Sequence, residues 1–208
     1  MKTWEEYYRS EVTLHFYLDN IRNHTPYLEA ILDGGSQKIV EVGVGTGTLT
    51  TFLSQMADDV LGVDNDPAVL QRAEAVGRQY RGRARWKQAD AFRLARDLGV
   101  EAEVAAGRKP FDVAATQGLL EHFSDEDIRK LLREQLRVAK RVVASVPSKW
   151  YPQRDVGNER LMTPDEWRRI LEPLGADLKI SGYWFERQRR HFYKMWPLEL
   201  LFVLEEKR

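Results

Sequence analysis

The stretch Ile39 to Thr50, IVEVGVGTGTLT, holds the residues with the clearest chemical meaning in the chain. Glycines stand at 43, 45 and 47, after an apolar run and before a segment of helical period. A strand that ends in such a turn and opens a helix presents backbone N–H groups with little side-chain bulk, so a ligand can approach the main chain closely. Strand ends in open α/β sheets are also where ligands collect. Asp64, at the end of VLGVD and about twenty residues past the loop, is placed to accept ribose hydroxyls. The dinucleotide pattern G-x-G-x-x-G does not fit: counted from Gly43 its third glycine falls on Thr48, and from Gly45 on Thr50. A nicotinamide cofactor is therefore disfavoured.

The elements that must position these residues alternate between short β-branched runs and helical periods, as in a parallel sheet with crossover helices. Strands are expected at Lys38–Val42, Val60–Val63, Ala84–Gln88, Phe111–Thr116, Arg141–Val146, Asp177–Phe185 and Glu199–Glu205. Helices are expected at Thr48–Ala57, Ala68–Tyr80, Phe92–Ala105, Asp125–Ala139 and Pro164–Leu174. Ser124 with Asp127, and Thr163 with Glu166, have capping-box spacing. The first 24 residues read as a helix with Trp4, Tyr7, Leu14, Leu18 and Ile21 roughly on one face. Thr25-Pro26 then opens a second helix as cap and first-turn proline, and Gly34-Gly35 ends it. The polar, proline-bearing stretch SVPSKWYPQRDVGNERLM is a long connection of the kind that carries function.

Glu41-Val-Gly-Val-Gly-Thr-Gly47 resembles the first motif of class I S-adenosylmethionine-dependent methyltransferases, [DE]-x-G-x-G-x-G. VLGVDNDPAVL resembles their second motif, RWKQADAF the third and FDVAATQGLLEHF the fourth, in the family's order. The resemblance covers residues 36 to 146 well and the final strands more loosely. It implies a three-layer α/β/α sandwich, with a seven-stranded, mostly parallel sheet and an antiparallel last strand. It implies S-adenosyl-L-methionine as cofactor, held by Glu41, Gly43, Gly45, Gly47, Asp64, Asn65, Asp90, Ala91 and Gln117. Within that set Asp90 would take the adenine amino group, the Ala91 main chain would read the ring, and Glu41 would orient the methionine ammonium. It also implies one domain over 1–208: a helical cap at 1–35, a cofactor core at 36–146 and an acceptor-side segment at 147–208.

The sulfonium methyl is already activated, so transfer needs mainly alignment and exclusion of water, with a base only for acceptors such as hydroxyls. His122, just past the fourth expected strand, is the candidate base; a structural packing role is the alternative. Adjacent Glu121 and His122 diverge and no further ligand pair is evident, so no metal site is expected. The aromatic N-terminal segment and the long connection supply candidate acceptor contacts: Tyr8, Glu11, His15, Trp150 and Tyr151. A helix that simply packs on the sheet, its aromatics in the core, is the alternative for the first of these.

Composition narrows the classes. Of 208 residues, 43% are hydrophobic, and 32 basic residues balance 32 acidic ones, so no global field recruits nucleic acid or an anionic membrane. The absence of cysteine excludes thiolate zinc sites, disulfides and cysteine nucleophiles. No apolar run approaches the roughly 18 residues of a membrane helix, and the acidic, aromatic start is unlike a signal peptide. A cytoplasmic monomer or homodimer methylating a small molecule is expected. Methylation of RNA or protein through the basic aromatic run ERQRRHFYKMW (Glu186–Trp196), or a non-catalytic partner subunit, are the alternatives.

Overall fold

The computed structural model describes residues 10–34, 37–152, 157–185 and 196–207. β1 (Lys38–Val42), β2 (Asp59–Asp64), β3 (Arg85–Gln88), β4 (Phe111–Gln117), β5 (Ala139–Pro147), β6 (Asp177–Tyr183) and β7 (Glu199–Glu205) form one sheet in the order β3-β2-β1-β4-β5-β7-β6. The first five strands pair in parallel, and β7 runs antiparallel between β5 and β6. Chain order reverses between β1 and β4, and the crevice outside the carboxyl ends of strands at such a point is where this sheet type binds ligands.

The helices are α1 (Leu14–Asn23), α2 (Thr25–Leu32), α3 (Thr48–Met56), α4 (Pro67–Gln79), α5 (Leu94–Leu98), α6 (Glu101–Ala105), α7 (Asp125–Val138) and α8 (Pro164–Leu171). Central strands are apolar on both faces because helices cover both. Ile39, Val60 and Val143 meet Tyr27 and Ile31 of α2 and Leu49 and Leu53 of α3. On the other face Val40, Val42 and Phe202 meet Ile128 and Leu131 of α7 and Trp167 of α8. Trp167 is fully buried, its ring centroid 5.1 Å from that of Phe202. Truncating it to alanine costs about 3–5 kcal/mol. The Thr163–Glu166 capping box that starts α8 forms in full. Ser124 accepts from the Asp127 N–H and donates to its carboxylate.

Three expectations need correcting. Described residues 10–12 are not helical, and α1 begins only at Leu14, with Thr13 accepting from the Phe16 N–H as its cap. Its inward face is set by Tyr17, stacked on Tyr80 of the turn after α4 at 4.2 Å, while Leu14 and Leu18 are 60% and 54% exposed. Trp4 and Tyr7 lie outside the described residues. Thr25 is not the cap of α2. His24 takes that position, and the Thr25 hydroxyl donates back to the carbonyls of Ile21 and Arg22. Pro26 has no N–H to continue the α1 ladder, so the chain breaks at His24 and its ring turns inward, 6% exposed. The expected helix Phe92–Ala105 is instead a 3₁₀ turn at Ala91–Arg93, then α5 and α6, divided at Gly99 with φ 79°. A residue with a left-handed backbone there ends α5 and no helix can run through it.

Candidate active site

β1 ends in the glycine loop, where Gly43, Gly45 and Gly47 have φ of 78°, 50° and 74°. At Gly47 the need is twofold. The backbone is left-handed, and an added Cβ would stand 2.7 Å from Ala73 Cα of α4. Gly47 caps α3 without a side-chain hydrogen bond. A bare main-chain turn at such a helix start suits a ligand with anionic groups.

Two carboxylates flank the loop. Glu41, on β1 beneath it, is 2% exposed and accepts from the Thr50 hydroxyl of α3. Burial pushes its pKa up to about 7, and the Thr50 bond partly offsets this. Asp64, at the end of β2, accepts from the Asp66 N–H at 3.0 Å and from the N–H groups of Asn65 and Gly45. Burial outweighs these bonds and raises its pKa above the usual carboxylate value. The Gly45 bond ties Asp64 to the loop. Asp90, after β3, accepts from the Phe92 N–H at 2.9 Å and pairs with Arg93 at 3.1 Å, which shapes the 3₁₀ turn begun by Ala91. The Asn65 carbonyl accepts from Gln88 at 3.0 Å, joining the ends of β2 and β3.

A cavity of about 440 Å³ opens from this loop toward β4, β5 and β7. Its walls include Glu41, Gly43, Gly45, Gln117 and His122 from the expected set, together with Glu11 and Tyr151. Asp64, Asn65, Asp90 and Ala91 do not line it; they stand beside it at the ends of β2 and β3. Trp150 does not line it either, and stacks on Trp196 with centroids 4.6 Å apart. His15 points away, its side chain 82% exposed and paired with Asp19. Tyr8 lies outside the described residues, as does the basic run up to Met195.

Sequence reasoning missed much of the far wall. Asn20, Asn23 and His24 of the N-terminal segment line the cavity, and so do Glu159 and Glu199; Phe16 and Glu121, from stretches expected to border the acceptor, line it too. His24 Nδ1 is 2.8 Å from the Tyr183 hydroxyl, which is 2.7 Å from the Ser145 hydroxyl, and Ser145 donates to Glu199 at 3.1 Å. All four are buried. Burial lowers the His24 pKa to about 4, and burial followed by the Glu199 charge raises that of Tyr183, so both are neutral near pH 7. No periodicity marks these residues; only the break before Pro26 hints that His24 is special.

His122 follows β4 in a 3₁₀ turn at Leu120–His122. Its Nδ1 is 2.7 Å from Asn158 Oδ1, and its Nε2 is 3.8 Å from Glu121 Oε1. Burial lowers its pKa, with the Asn158 bond and the Glu159 charge opposing. Asn158 and Glu159 come from the long connection, which is anchored here: the Arg160 N–H donates to the Glu121 carbonyl and its guanidinium to the Phe123 carbonyl.

The switch-point loop, the start of α3, the carboxylate that closes β2 and the buried Glu41 meet at one end of a Rossmann-like sheet. Residues 39–141 match the family model described as a methyltransferase domain. An uncharacterized methyltransferase of Synechocystis sp. is 26% identical over 188 residues, covering 86% of this chain and 81% of that protein. The PH0226 protein of Pyrococcus horikoshii shares the fold with a TM-score of 0.72 at 15% identity, covering 97% of this chain and 99% of that one. Magnesium protoporphyrin IX methyltransferase of Synechocystis, solved with bound S-adenosylmethionine, gives 0.65 at 15% identity, covering 98% and 89%. The chain carries a methyltransferase domain and is an S-adenosylmethionine-dependent methyltransferase. No helix among the described residues is long and apolar enough to cross a membrane.

Proposed function

We propose that the protein methylates a small molecule bound in the cavity beside the glycine loop. One observation carries this reading: the wall facing the loop is built by residues 10–24 and by Tyr151 and Phe185, so the acceptor space is bounded on several sides. A cavity of this size suits part of the cofactor and a metabolite-sized group better than a polymer strand. The residues proposed to hold the cofactor are Glu41 at the methionine ammonium, the loop N–H groups at the carboxylate, Asp64 and Asn65 at the ribose, and Asp90 and Ala91 at the adenine, with Gln117 bordering both halves. The cofactor supplies an electrophilic methyl group; the chain supplies alignment and a dry enclosure. Residues 10–24 serve as the cap that excludes water.

His122 is proposed as the base that accepts the proton of an acceptor needing deprotonation. It is partly buried, burial lowers its pKa, and its ring is held by Asn158. His122→Ala then lowers kcat by about 10²–10⁴, with the affinity for S-adenosylhomocysteine unchanged. Full retention of turnover returns His122 to a packing role. The function itself is tested by incubating the protein with S-adenosylmethionine and fractionated metabolite pools, RNA or protein, and measuring S-adenosylhomocysteine release. Release with RNA or protein but with no metabolite pool overturns the small-molecule reading.

A further inference from the structure

His24 stands where α1 gives way to α2, and its side chain is held by a series of buried hydrogen bonds. Its Nδ1 lies 2.8 Å from the Tyr183 hydroxyl, that hydroxyl lies 2.7 Å from the Ser145 hydroxyl, and Ser145 donates to Glu199 Oε2 at 3.1 Å. Counting hydrogens gives the first two bonds a direction. A serine or tyrosine hydroxyl has one hydrogen to give, and a neutral imidazole has one N–H. Ser145 spends its hydrogen on Glu199, so across the next bond Tyr183 donates and Ser145 accepts. Tyr183 has then spent its own, so across the last bond His24 donates from Nδ1 and Tyr183 accepts. This needs only that Glu199 Oε2 accepts from Ser145, whatever else that carboxylate contacts. Burial lowers the His24 pKa to about 4, so near pH 7 the ring is neutral and its single hydrogen sits on Nδ1.

Nε2 is thereby left with a bare lone pair. Among the described residues it has no hydrogen-bond partner, and it is not one of the buried polar atoms sealed away without one. His24 lines the cavity while Tyr183, its partner at Nδ1, does not, so the other edge of the ring borders the space. A lone pair facing an enclosed space costs free energy unless a donor meets it. Beside it stand Phe185, edge-on to His24 with ring centroids 5.4 Å apart, and Tyr151, edge-on to Phe185 at 6.1 Å. Both line the cavity. The row offers a further aromatic ring the edge-to-face and offset contacts that such rings prefer.

We infer that the methyl acceptor is a neutral aromatic molecule whose hydroxyl or ring N–H donates to His24 Nε2 while its ring packs against Phe185 and Tyr151. This rests on the small-molecule reading above and names the class of molecule. His24 makes the contact. Tyr183, Ser145 and Glu199 are positioning residues, which fix the nitrogen of His24 that stays bare.

Two measurements on the full chain saturated with S-adenosylhomocysteine test this. Nitrogen NMR of the isotope-labelled protein at pH 7 shows His24 with a hydrogen on Nδ1 and none on Nε2. Ser145→Ala frees the Tyr183 hydrogen to go to Nδ1, and the ring's own hydrogen moves to Nε2. Calorimetry with phenol and anisole then compares two probes that differ in whether the oxygen carries a hydrogen. Phenol binds about fivefold to tenfold more tightly than anisole, the scale of one hydrogen bond. Ser145→Ala removes that preference and leaves the affinity for S-adenosylhomocysteine unchanged. A hydrogen on Nε2 in the unaltered chain, equal binding of the probes, preference for anisole, or no binding of either overturns the inference while S-adenosylhomocysteine still binds. A folded Ser145→Ala chain that keeps the Nδ1 hydrogen or the preference for phenol overturns it too; if that variant does not fold, the spectrum and the probes on the unaltered chain decide alone. Methyl transfer to RNA or protein only overturns the small-molecule reading and leaves the His24 hydrogen where it was, so the two failures are told apart.

Discussion

The cofactor end and the acceptor end of this site are built in opposite ways. At the cofactor end the chemistry lies in short contiguous runs: a glycine turn after β1, a carboxylate closing β2 and another after β3. Backbone N–H groups of the glycine turn and of the α3 start are the groups proposed to do much of the holding there. At the other end of the cavity Glu121, Glu159, Glu199 and His24 arrive from four distant stretches, and side chains make most of the wall. A group shared by every member of a family can be gripped by main chain, which tolerates sequence change. A group particular to one member has to be gripped by side chains gathered from wherever the fold brings them.

The largest effect that sharpens this contrast belongs to the main chain. Gly47→Val places a branched side chain in a left-handed backbone and into Ala73, whose Cα is 2.7 Å from the added Cβ. Strain and overpacking together lower unfolding stability by about 3 kcal/mol or more, and S-adenosylhomocysteine binding is lost. Denaturant titration and calorimetry read both. A variant of native stability would mean the loop does not need its glycine.

Glu41 gives the next effect, through pH. Its carboxyl ionises near 4.5 when unfolded and near 7 when buried in the fold. The folded state therefore holds a proton that the unfolded state has lost. Stability falls as pH rises from about 4.5 to about 7 and levels off above, by up to about 3 kcal/mol. Glu41→Gln removes this slope, so its advantage over the unaltered chain grows across that window and is absent below it. In the unaltered protein, S-adenosylmethionine binding expels a proton within the same window, because the methionine ammonium favours the ionised carboxylate. Parallel pH–stability curves for the two chains would contradict this account of Glu41.

Two neighbouring aromatics separate support from function at the N-terminal wall. Tyr17 stacks on Tyr80 and is 6% exposed, whereas Phe16, one residue before it, is 45% exposed and lines the cavity. Tyr17→Ala costs about 3 kcal/mol of stability. Phe16→Ala leaves the melting temperature within a degree or two and weakens acceptor binding alone. Equal losses of stability from both would make this segment core packing and not a cap. The smallest expected effect is Tyr183→Phe. It removes the hydroxyl that joins His24 to Ser145 and costs about 1–2 kcal/mol. Acceptor affinity falls and cofactor affinity does not.

The same contrast decides what the sequence made legible. The glycine spacing, Asp64 and the β–α alternation are local patterns, and each corresponds to a local structural cause. The direction of α1 was not legible, because Tyr17 turns inward on account of Tyr80, far along the chain. Leu14 and Leu18 have the right spacing for a buried face and are nonetheless exposed. Gly99 sits inside a helical period that it breaks, and only its left-handed φ shows why. The acceptor wall was the least legible part. Glu159 lies in a run that reads as a polar loop, and Glu199 opens a strand whose alternation gives no sign that its first residue is buried.

The central claim is that the cofactor end binds S-adenosylmethionine independently of the acceptor wall, and calorimetry with S-adenosylhomocysteine tests it most directly. The unaltered chain should bind it with a one-to-one stoichiometry and give no heat with NAD. Asp64→Ala should weaken that binding by about 1.5–3 kcal/mol, the scale for hydrogen bonds to a charged group, while Glu199→Gln leaves it unchanged. Tight binding of NAD, or an Asp64→Ala variant that binds S-adenosylhomocysteine as well as the unaltered chain, would contradict the account.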